Sequence, residues 1–248
     1  MRARHLLLPA LALLLLALPG DGLAQSVSLD MGTTEAGATT RLVQLTALVG
    51  LLSLAPSLLV MATAFARISI VLSLLRSAIG AAGVPPNPVL VGLALFLTFF
   101  VMQPVLEQSW SQGLQPMAEG RLEEMEGLRA AAEPFRAFML ANARDSDITL
   151  FLDLGNVPPP AEPAATPWRV LVPAFLVGEL RRAFEIGFLV FLPFLVIDLV
   201  VASVLMGLGM MMLPPSTVSL PFKLIFFVLV DGWRLVAGSL VQGFAGGG

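Results

Sequence analysis

Few side chains in this sequence could do chemistry, and the ones that stand out are charged residues within apolar stretches. Asp198 lies in the middle of the apolar run from Phe191 to Ser203. A lone charge at the centre of a membrane costs about 2.5–3.5 kcal/mol on insertion scales, so it requires a partner or water. Two interpretations stay open: a carboxylate that relays protons or lines a channel, and a protonated or paired carboxylate that only packs.

Two further pairs of charges lie close to apolar segments. Glu179 and Lys223 each lie near the start of an apolar helix, and Lys223 is the only lysine of the chain. We predict an ion pair between them, within or between subunits, that locks the assembly; the alternative is that Lys223 only extends towards the membrane interface. Asp231 and Arg234 are three residues apart, which places them on one helix face, where they neutralise each other in a structural role.

Several kinds of chemistry are excluded by composition. The chain has no cysteine, and its only histidine is His5, which lies in a predicted signal peptide. A mature chain therefore has no thiolate or imidazole catalysis and no cysteine-ligated metal. No carboxylate pair has a spacing typical of hydrolases, and there is no glycine-rich loop that would bind phosphate. The net charge of −3 gives no basic patch that would bind nucleic acid. We expect a protein that is not an enzyme and binds no cofactor.

The segment from Met206 to Pro215 holds four of the chain's 11 methionines. Methionine is unbranched and polarizable, so a cluster of methionines forms a soft surface that adapts to varied shapes. Gly207 and Gly209 are expected to loosen the backbone, and Pro214 and Pro215 to stop a helix from continuing. The segment is either a compliant gate in a membrane channel assembly or a re-entrant turn whose methionines only pack.

The composition predicts an all-α integral membrane protein. Hydrophobic residues make up 57% of the chain and charged residues 12%, with a mean hydropathy of +0.89, far from an ordinary soluble domain. Residues 1–24 are typical of a cleaved signal peptide, because two arginines precede an apolar stretch, Leu6 to Leu18, that is too short to span a membrane. A retained anchor is the alternative.

The apolar pattern predicts about four long, kinked hydrophobic helices arranged in hairpins. The acidic segment is expected outside the cytoplasm, and the turn that carries the methionines is expected inside. A flexible lead-in at 25–41 is followed by a first hairpin at 42–106, with spans Leu42–Met61 and Val89–Leu106 and a turn at 80–88. An acidic segment and linker occupies 107–182; it is helical over 121–142 and ends in an interfacial approach at 168–182. A second hairpin at 183–244 has spans Ala183–Leu205 and Leu220–Leu240, and a glycine-rich tail follows at 245–248.

Nine short blocks stand out in order along the chain between Ala55 and Phe244. They are Arg67–Leu72, Leu74–Arg76, Pro85–Thr98, Pro173–Phe175, Glu179–Leu180, Phe184–Gly187, Pro193–Pro215, Ser219–Leu224 and Asp231–Trp233. Together these blocks resemble the FliP/SctR family of type III secretion export-gate subunits. The signal peptide and the acidic insert are more similar to the flagellar branch than to the injectisome branch.

The resemblance implies a function that the residues alone do not specify. It implies a core pore-forming subunit of the flagellar protein export gate, in the bacterial inner membrane at the flagellar basal body, through which unfolded subunits are secreted. The implied partners are further copies of the chain in an oligomeric ring, FliQ and FliR, FlhB and FlhA, exported polypeptides and membrane lipid. An injectisome subunit is the alternative, and a small proton-coupled transporter that uses Asp198 is a more distant one.

The resemblance also implies roles for individual residues. Met210, Met211 and Met212 match the family's methionine-rich loop, which closes the pore as a gasket. Subunit contacts are implied for a charge pair and two aromatic positions, which are Glu179, Lys223, Phe138 and Phe151.

Overall fold

The computed structural model describes residues 46, 49–50, 53, 57, 60–210 and 212–245. The predicted signal peptide, the lead-in at 25–41, most of the span Leu42–Met61, Met211 and the end of the glycine tail lie outside these residues. Residues Met1–Leu52 and Ser53–Gly248 form two separate units. In the first unit, residues 46, 49 and 50 are helical; all elements named below belong to the second.

The described residues form helices and no strand, which confirms the predicted all-α class. In chain order the helices are α1 (Phe65–Ile79), α2 (Asn87–Ser109), a π-helical turn (Trp110–Leu114), α3 (Gln115–Ala118), α4 (Glu124–Asn142), α5 (Asp145–Leu154), a 3₁₀ turn (Pro163–Ala165), α6 (Trp168–Gly207), α7 (Pro215–Leu229) and α8 (Gly232–Ala245).

Two stretches are long and apolar enough to cross a membrane. One is Asn87–Ala118, which joins α2, the π-helical turn and α3 over 32 residues, and the other is the 40-residue α6. The pair α7 and α8 passes the same test together but is bent by 61°. The described residues therefore hold two spans, or three if the bent pair counts as one, where the sequence predicted about four over the whole chain.

The helix that carries the predicted third span begins before Ala183, because α6 runs without interruption from Trp168 to Gly207. The charges at Glu179, Arg181 and Arg182 are the reason that the sequence predicts an interfacial approach before Ala183. None of these residues breaks a helix, and Glu179 is fully buried against other elements. The helix therefore continues through the charged stretch.

The predicted span Leu220–Leu240 is divided between α7 and α8, since the chain bends by 61° between them. Asp231 adopts a left-handed backbone with φ of +51°. A Cβ on Gly232 would lie 2.1 Å from the ring of Phe227, so the backbone approaches the ring more closely than any other residue type allows. The bend is fixed by this contact and by the edge-to-face packing of Trp233 on Phe227 at 5.3 Å.

The core is organised around the packing of α1 on α6. Ile68, Val71 and Leu75 are fully buried on one face of α1, the spacing expected of a helix with one apolar face. A Cβ on Gly187 would lie 2.2 Å from Leu74 Cδ1, so glycine permits the close approach of the two helices. The N-terminal part of α6 also packs against α4 through the buried side chains of Met139, Leu171 and Phe175.

Candidate functional site: two buried ion pairs and the methionine segment

The first ion pair joins the start of α1 to α6. Arg67 Nε donates to Glu179 Oε2 at 2.8 Å, and Arg67 Nη2 donates to Glu179 Oε1. The two side chains are 1% and 0% exposed. Arg182 Nη1 lies 3.8 Å from the same carboxylate. This fork geometry, in which two N–H groups meet two carboxylate oxygens, is the strongest form of a charged hydrogen bond.

The guanidinium of Arg67 also reaches α8. Its Nη1 donates to the Gly243 carbonyl at 3.1 Å, and its Cζ lies 3.6 Å from the centre of the Phe244 ring, a cation–π contact. Phe138 of α4 stacks on Phe244 at 5.9 Å and meets Phe175 edge-on at 5.8 Å. One buried cation thus connects α1, α6 and α8, and an aromatic cluster attaches α4 to the same point.

The second ion pair joins α6 to α7. Lys223 Nζ lies 2.6 Å from Asp198 Oδ2 and donates to the carbonyl of Ala78 at 3.1 Å. Ser219 Oγ donates to Asp198 Oδ1. Ala78 lies in the last turn of α1, where unpaired carbonyls carry partial negative charge and favour a cation. The Lys223 side chain is 7% exposed and the Asp198 side chain 34%.

These contacts correct the predicted pairing of Glu179 with Lys223. Within one chain the prediction is wrong, because Glu179 pairs with Arg67 and Lys223 pairs with Asp198. Arg67 is not among the site residues predicted from the sequence. A signal was present, since Arg67 lies four and eight residues before the apolar Val71 and Leu75 and so shares their buried face. A pairing of Glu179 with Lys223 between subunits stays a prediction.

The remaining predicted site residues lie elsewhere. Asp231 and Arg234 approach to 3.9 Å, but their side chains are 65% and 86% exposed, and an exposed pair contributes little stability. Asp231 lies in the bend before α8 and not within a helix, which corrects the predicted common helix face. Phe151 is half-buried in α5 and makes no ring contact with an aromatic side chain of the described residues. The subunit-contact roles of Phe138 and Phe151 stay predictions.

The methionine segment begins with a capped helix end. Gly209 has φ of +73°, its N–H donates to the Met206 carbonyl at 3.1 Å, and the Met210 N–H donates to the Leu205 carbonyl at 2.9 Å. This is the Schellman arrangement, in which a left-handed glycine turns the chain and pairs the last carbonyls of a helix. Gly207 is the last helical residue of α6, and Gly209 adopts the left-handed conformation that turns the chain. That both glycines loosen the backbone stays a prediction.

The second half of the segment prepares the next helix. Pro214 is the N-cap of α7 and Pro215 is its first residue, a position that suits proline because its missing N–H would be unpaired there in any case. The two prolines therefore begin α7, and α6 ends before them at its Gly209 cap. Between the two ends, Met210 is 44% and Met212 98% exposed, and Met206 in the last turn of α6 is 60% exposed. The predicted gasket methionines at 210 and 212 present their side chains to the surface, and Met211 lies outside the described residues.

Arg67, Glu179 and Lys223 are buried, and each has an opposite charge as a partner. The exposed methionines offer apolar, deformable side chains. Across the part of the chain that the structure describes, no group of three or more Asp, Glu, His or Cys residues could hold a metal ion.

The long apolar helices, with ion pairs buried among them, define an integral membrane protein of the all-α class. A family model for the FliP family matches residues 48–240, and the chain therefore belongs to the FliP family.

The chain is similar to several proteins named Flagellar biosynthetic protein FliP. That of Caulobacter vibrioides is 57% identical over 93% of this chain and 86% of the relative. The protein of Agrobacterium fabrum is 47% identical over 93% of this chain and 96% of the relative. The protein of Bacillus subtilis is 46% identical over 82% of this chain and 91% of the relative. The family match over residues 48–240 includes the positions of both ion pairs and of the methionine segment.

Proposed function

We propose that this chain is a core pore-forming subunit of the flagellar type III protein export gate. The observation that carries the proposal is membership of the FliP family over residues 48–240, with relatives that are named for flagellar biosynthesis and are similar along most of their length. In this role the chain binds polypeptide without catalysing a reaction, and unfolded flagellar subunits leave the cytoplasm through the pore that it helps to form.

The pore belongs to an assembly of several chains. Two or three spanning helices of one chain cannot enclose a passage wide enough for a polypeptide, so further copies are required. We place the methionine segment at the narrowest point of this pore. Methionine side chains from several copies form a soft ring that closes around peptides of varied sequence and limits the passage of ions. The exposure of Met210 and Met212 supports this role.

The partners and location follow from the same role. We propose that the copies assemble with FliQ, FliR, FlhB and FlhA in the inner membrane at the flagellar basal body, after removal of the signal peptide.

Two alternatives have less support. The relatives reported above are named for the flagellum and not for an injectisome. A proton-coupled transporter needs a carboxylate that exchanges its proton, whereas Asp198 is matched by the ammonium group of Lys223.

Export is tested in the source bacterium with its copy of this protein deleted. We expect the deletion strain to secrete no flagellar subunits into the medium and to be restored by the intact gene. Normal secretion without the protein would contradict the proposed function.

The gasket is tested separately by ion conductance of the reconstituted assembly. A variant with Met210→Ser and Met212→Ser keeps the length of the loop but removes its apolar side chains, so we expect a larger ion leak with assembly unchanged. Met125→Ser is the matched control, because Met125 is 62% exposed on α4, outside the loop. An unchanged leak in the double variant would contradict the gasket and leave the export role standing.

A further inference from the structure

The chain leaves a helical conformation at only two residues between α7 and α8, which are Val230 and Asp231. Asp231 has φ of +51°, a left-handed backbone that is unfavourable for a residue with a Cβ atom. Residues 222–245 contain no proline, so every residue across the bend has the N–H group that a continuous helix needs. The local sequence therefore favours one straight helix over the bent pair.

Contacts in the last turn of α8 offset this local preference. Arg67 Nη1 donates to the Gly243 carbonyl at 3.1 Å, and the guanidinium lies 3.6 Å from the centre of the Phe244 ring. We call these two interactions the docking contact of α8. Because they lie at the far end of α8 from the bend, the bent form depends on tertiary packing and not on the residues of the bend alone.

The bent form also requires glycine at position 232. A Cβ there would lie 2.1 Å from the ring of Phe227, which is closer than side chains approach one another. In a continuous helix, positions 227 and 232 are about 140° apart around the axis, so a Cβ at position 232 would not meet that ring. Glycine therefore permits both forms, and a residue with a Cβ permits only the straight one.

We propose that α7 and α8 form a two-state element. In the bent form α8 docks on Arg67, and in the straight form residues 215–245 make one helix and the docking contact is broken. The fork between Arg67 and Glu179 uses other N–H groups of the guanidinium, so it is kept in both forms. The two forms interconvert because the local backbone preference and the docking contact act in opposite directions.

The two forms place α8 differently. In the bent form α8 packs on the core through the buried side chains of Val236 and Leu240. The straight helix would be about 46 Å long, and α7 and α8 together are apolar enough to cross a membrane. The element thus converts a helix that packs beside α1 into the second half of a span. This proposal concerns the conformation of the chain and does not rest on the export role.

The two forms are distinguished by a distance within one chain. The chain has no cysteine, so spin labels are placed specifically by Thr217→Cys and Gln242→Cys, both at exposed positions. With the bend of 61° these positions are about 32 Å apart along the helix axes, and in one straight helix they are about 38 Å apart. Pulsed electron paramagnetic resonance measures this distance when labelled protein is diluted into unlabelled protein.

Three substitutions shift the balance between the two forms. We expect the short distance in wild type, and the long distance alone in Gly232→Ala, because its Cβ excludes the bent form. Phe244→Leu removes the ring from Arg67 but keeps an apolar side chain, and should raise the ratio of the long to the short distance roughly tenfold. Asp231→Gly relieves the left-handed strain and should restore the short distance in the Phe244→Leu background.

Phe226→Leu is the matched control for Phe244→Leu. Phe226 is also half-buried, and it packs edge-on against another ring, Phe194, at 6.0 Å. We expect this variant to give the wild-type distance.

Two results would overturn this proposal. The short distance alone in Phe244→Leu would show that α8 stays bent without its docking contact, and this test holds even where Gly232→Ala does not fold. An equal shift in Phe226→Leu and Phe244→Leu would assign the change to lost packing and not to docking on Arg67. Neither result would change the secretion and conductance experiments above, so failure of this proposal and failure of the proposed function remain distinguishable.

Discussion

Arg67 and Glu179 are separated by 112 residues in the chain and meet in a bidentate ion pair. Neither side chain is accessible to solvent, since they are 1% and 0% exposed. Removing two charges from water has a high cost, which is offset only when the geometry is good and the remaining hydrogen bonds are made. Here a further guanidinium N–H of Arg67 donates to the Gly243 carbonyl, and the guanidinium also makes a cation–π contact with the Phe244 ring.

Loss of the carboxylate is expected to destabilise the fold strongly. Glu179→Gln leaves the guanidinium of Arg67 buried without an opposite charge, and the free energy of unfolding should fall by about 3–5 kcal/mol. Thermal unfolding of the purified protein in detergent measures this. The control is Glu185→Gln, which breaks the exposed pair with Arg181 and should leave the midpoint almost unchanged. Equal effects of the two variants would contradict a structural role for the buried pair.

A double-mutant cycle distinguishes the observed partners of Lys223 from the one predicted by sequence. Asp198→Asn and Lys223→Met should be coupled by about 1 kcal/mol or more, because the two side chains are in direct contact. Glu179→Gln and Lys223→Met should be additive to within about 0.5 kcal/mol, as they share no partner within the chain. Unfolding free energies of the single and double variants give both values. Strong coupling in the second cycle would instead support a Glu179–Lys223 contact between subunits.

The two glycines at the end of α6 should respond in opposite directions to alanine. Gly209→Ala places a Cβ on a left-handed backbone and should cost about 1–2 kcal/mol of stability. Gly207→Ala lies in the last turn of the helix with no atom within 4 Å of the new Cβ, and should add up to about 1 kcal/mol. Each variant controls for the other in chemical unfolding. Equal destabilisation by both would show that the glycine cap does not form.

A serine at position 178 should satisfy a buried carboxylate oxygen. Asp147 Oδ2 is buried without a hydrogen-bond partner among the described residues, and a Cβ at position 178 would lie 3.4 Å from it. Gly178→Ser offers a hydroxyl donor and Gly178→Ala does not, so the serine variant should be more stable than the alanine variant by about 1 kcal/mol. In an Asp147→Ala background the difference should vanish. If it persists there, the hydroxyl has another acceptor.

Local features of the sequence predicted many of the elements. The helix predicted over 121–142 is present as α4, from Glu124 to Asn142. The turn predicted at 80–88 is present over residues 80–86, between α1 and α2, and Gly80 has φ of +75°. Its last two residues, Asn87 and Pro88, already begin α2. Glycine and proline act on their own backbone, so a reader of the sequence needs no tertiary contact to place such turns.

The contacts between elements could not be predicted in the same way. The partner of Glu179 depends on α1 packing beside α6, and no local pattern fixes which of several arginines meets it. The bend at Asp231 depends on the ring of Phe227 lying against Gly232. Both features are selected by tertiary packing, which overrides local propensity.

The helix α1 is held at both ends, by Arg67 on Glu179 and by its Ala78 carbonyl on Lys223. At the rise of an α-helix, the 11 steps from residue 67 to residue 78 measure about 16 Å, and this length cannot change without breaking helical hydrogen bonds. The helix α1 therefore holds its two contacts, Arg67 with Glu179 and the Ala78 carbonyl with Lys223, at a fixed separation. In the proposed export gate, a pull on the methionine loop that is transmitted along α7 would reach Lys223, which is bound both to the Ala78 carbonyl of α1 and to Asp198 of α6. We therefore expect α1 and α6 to share such a load, so that it is not absorbed at the loop.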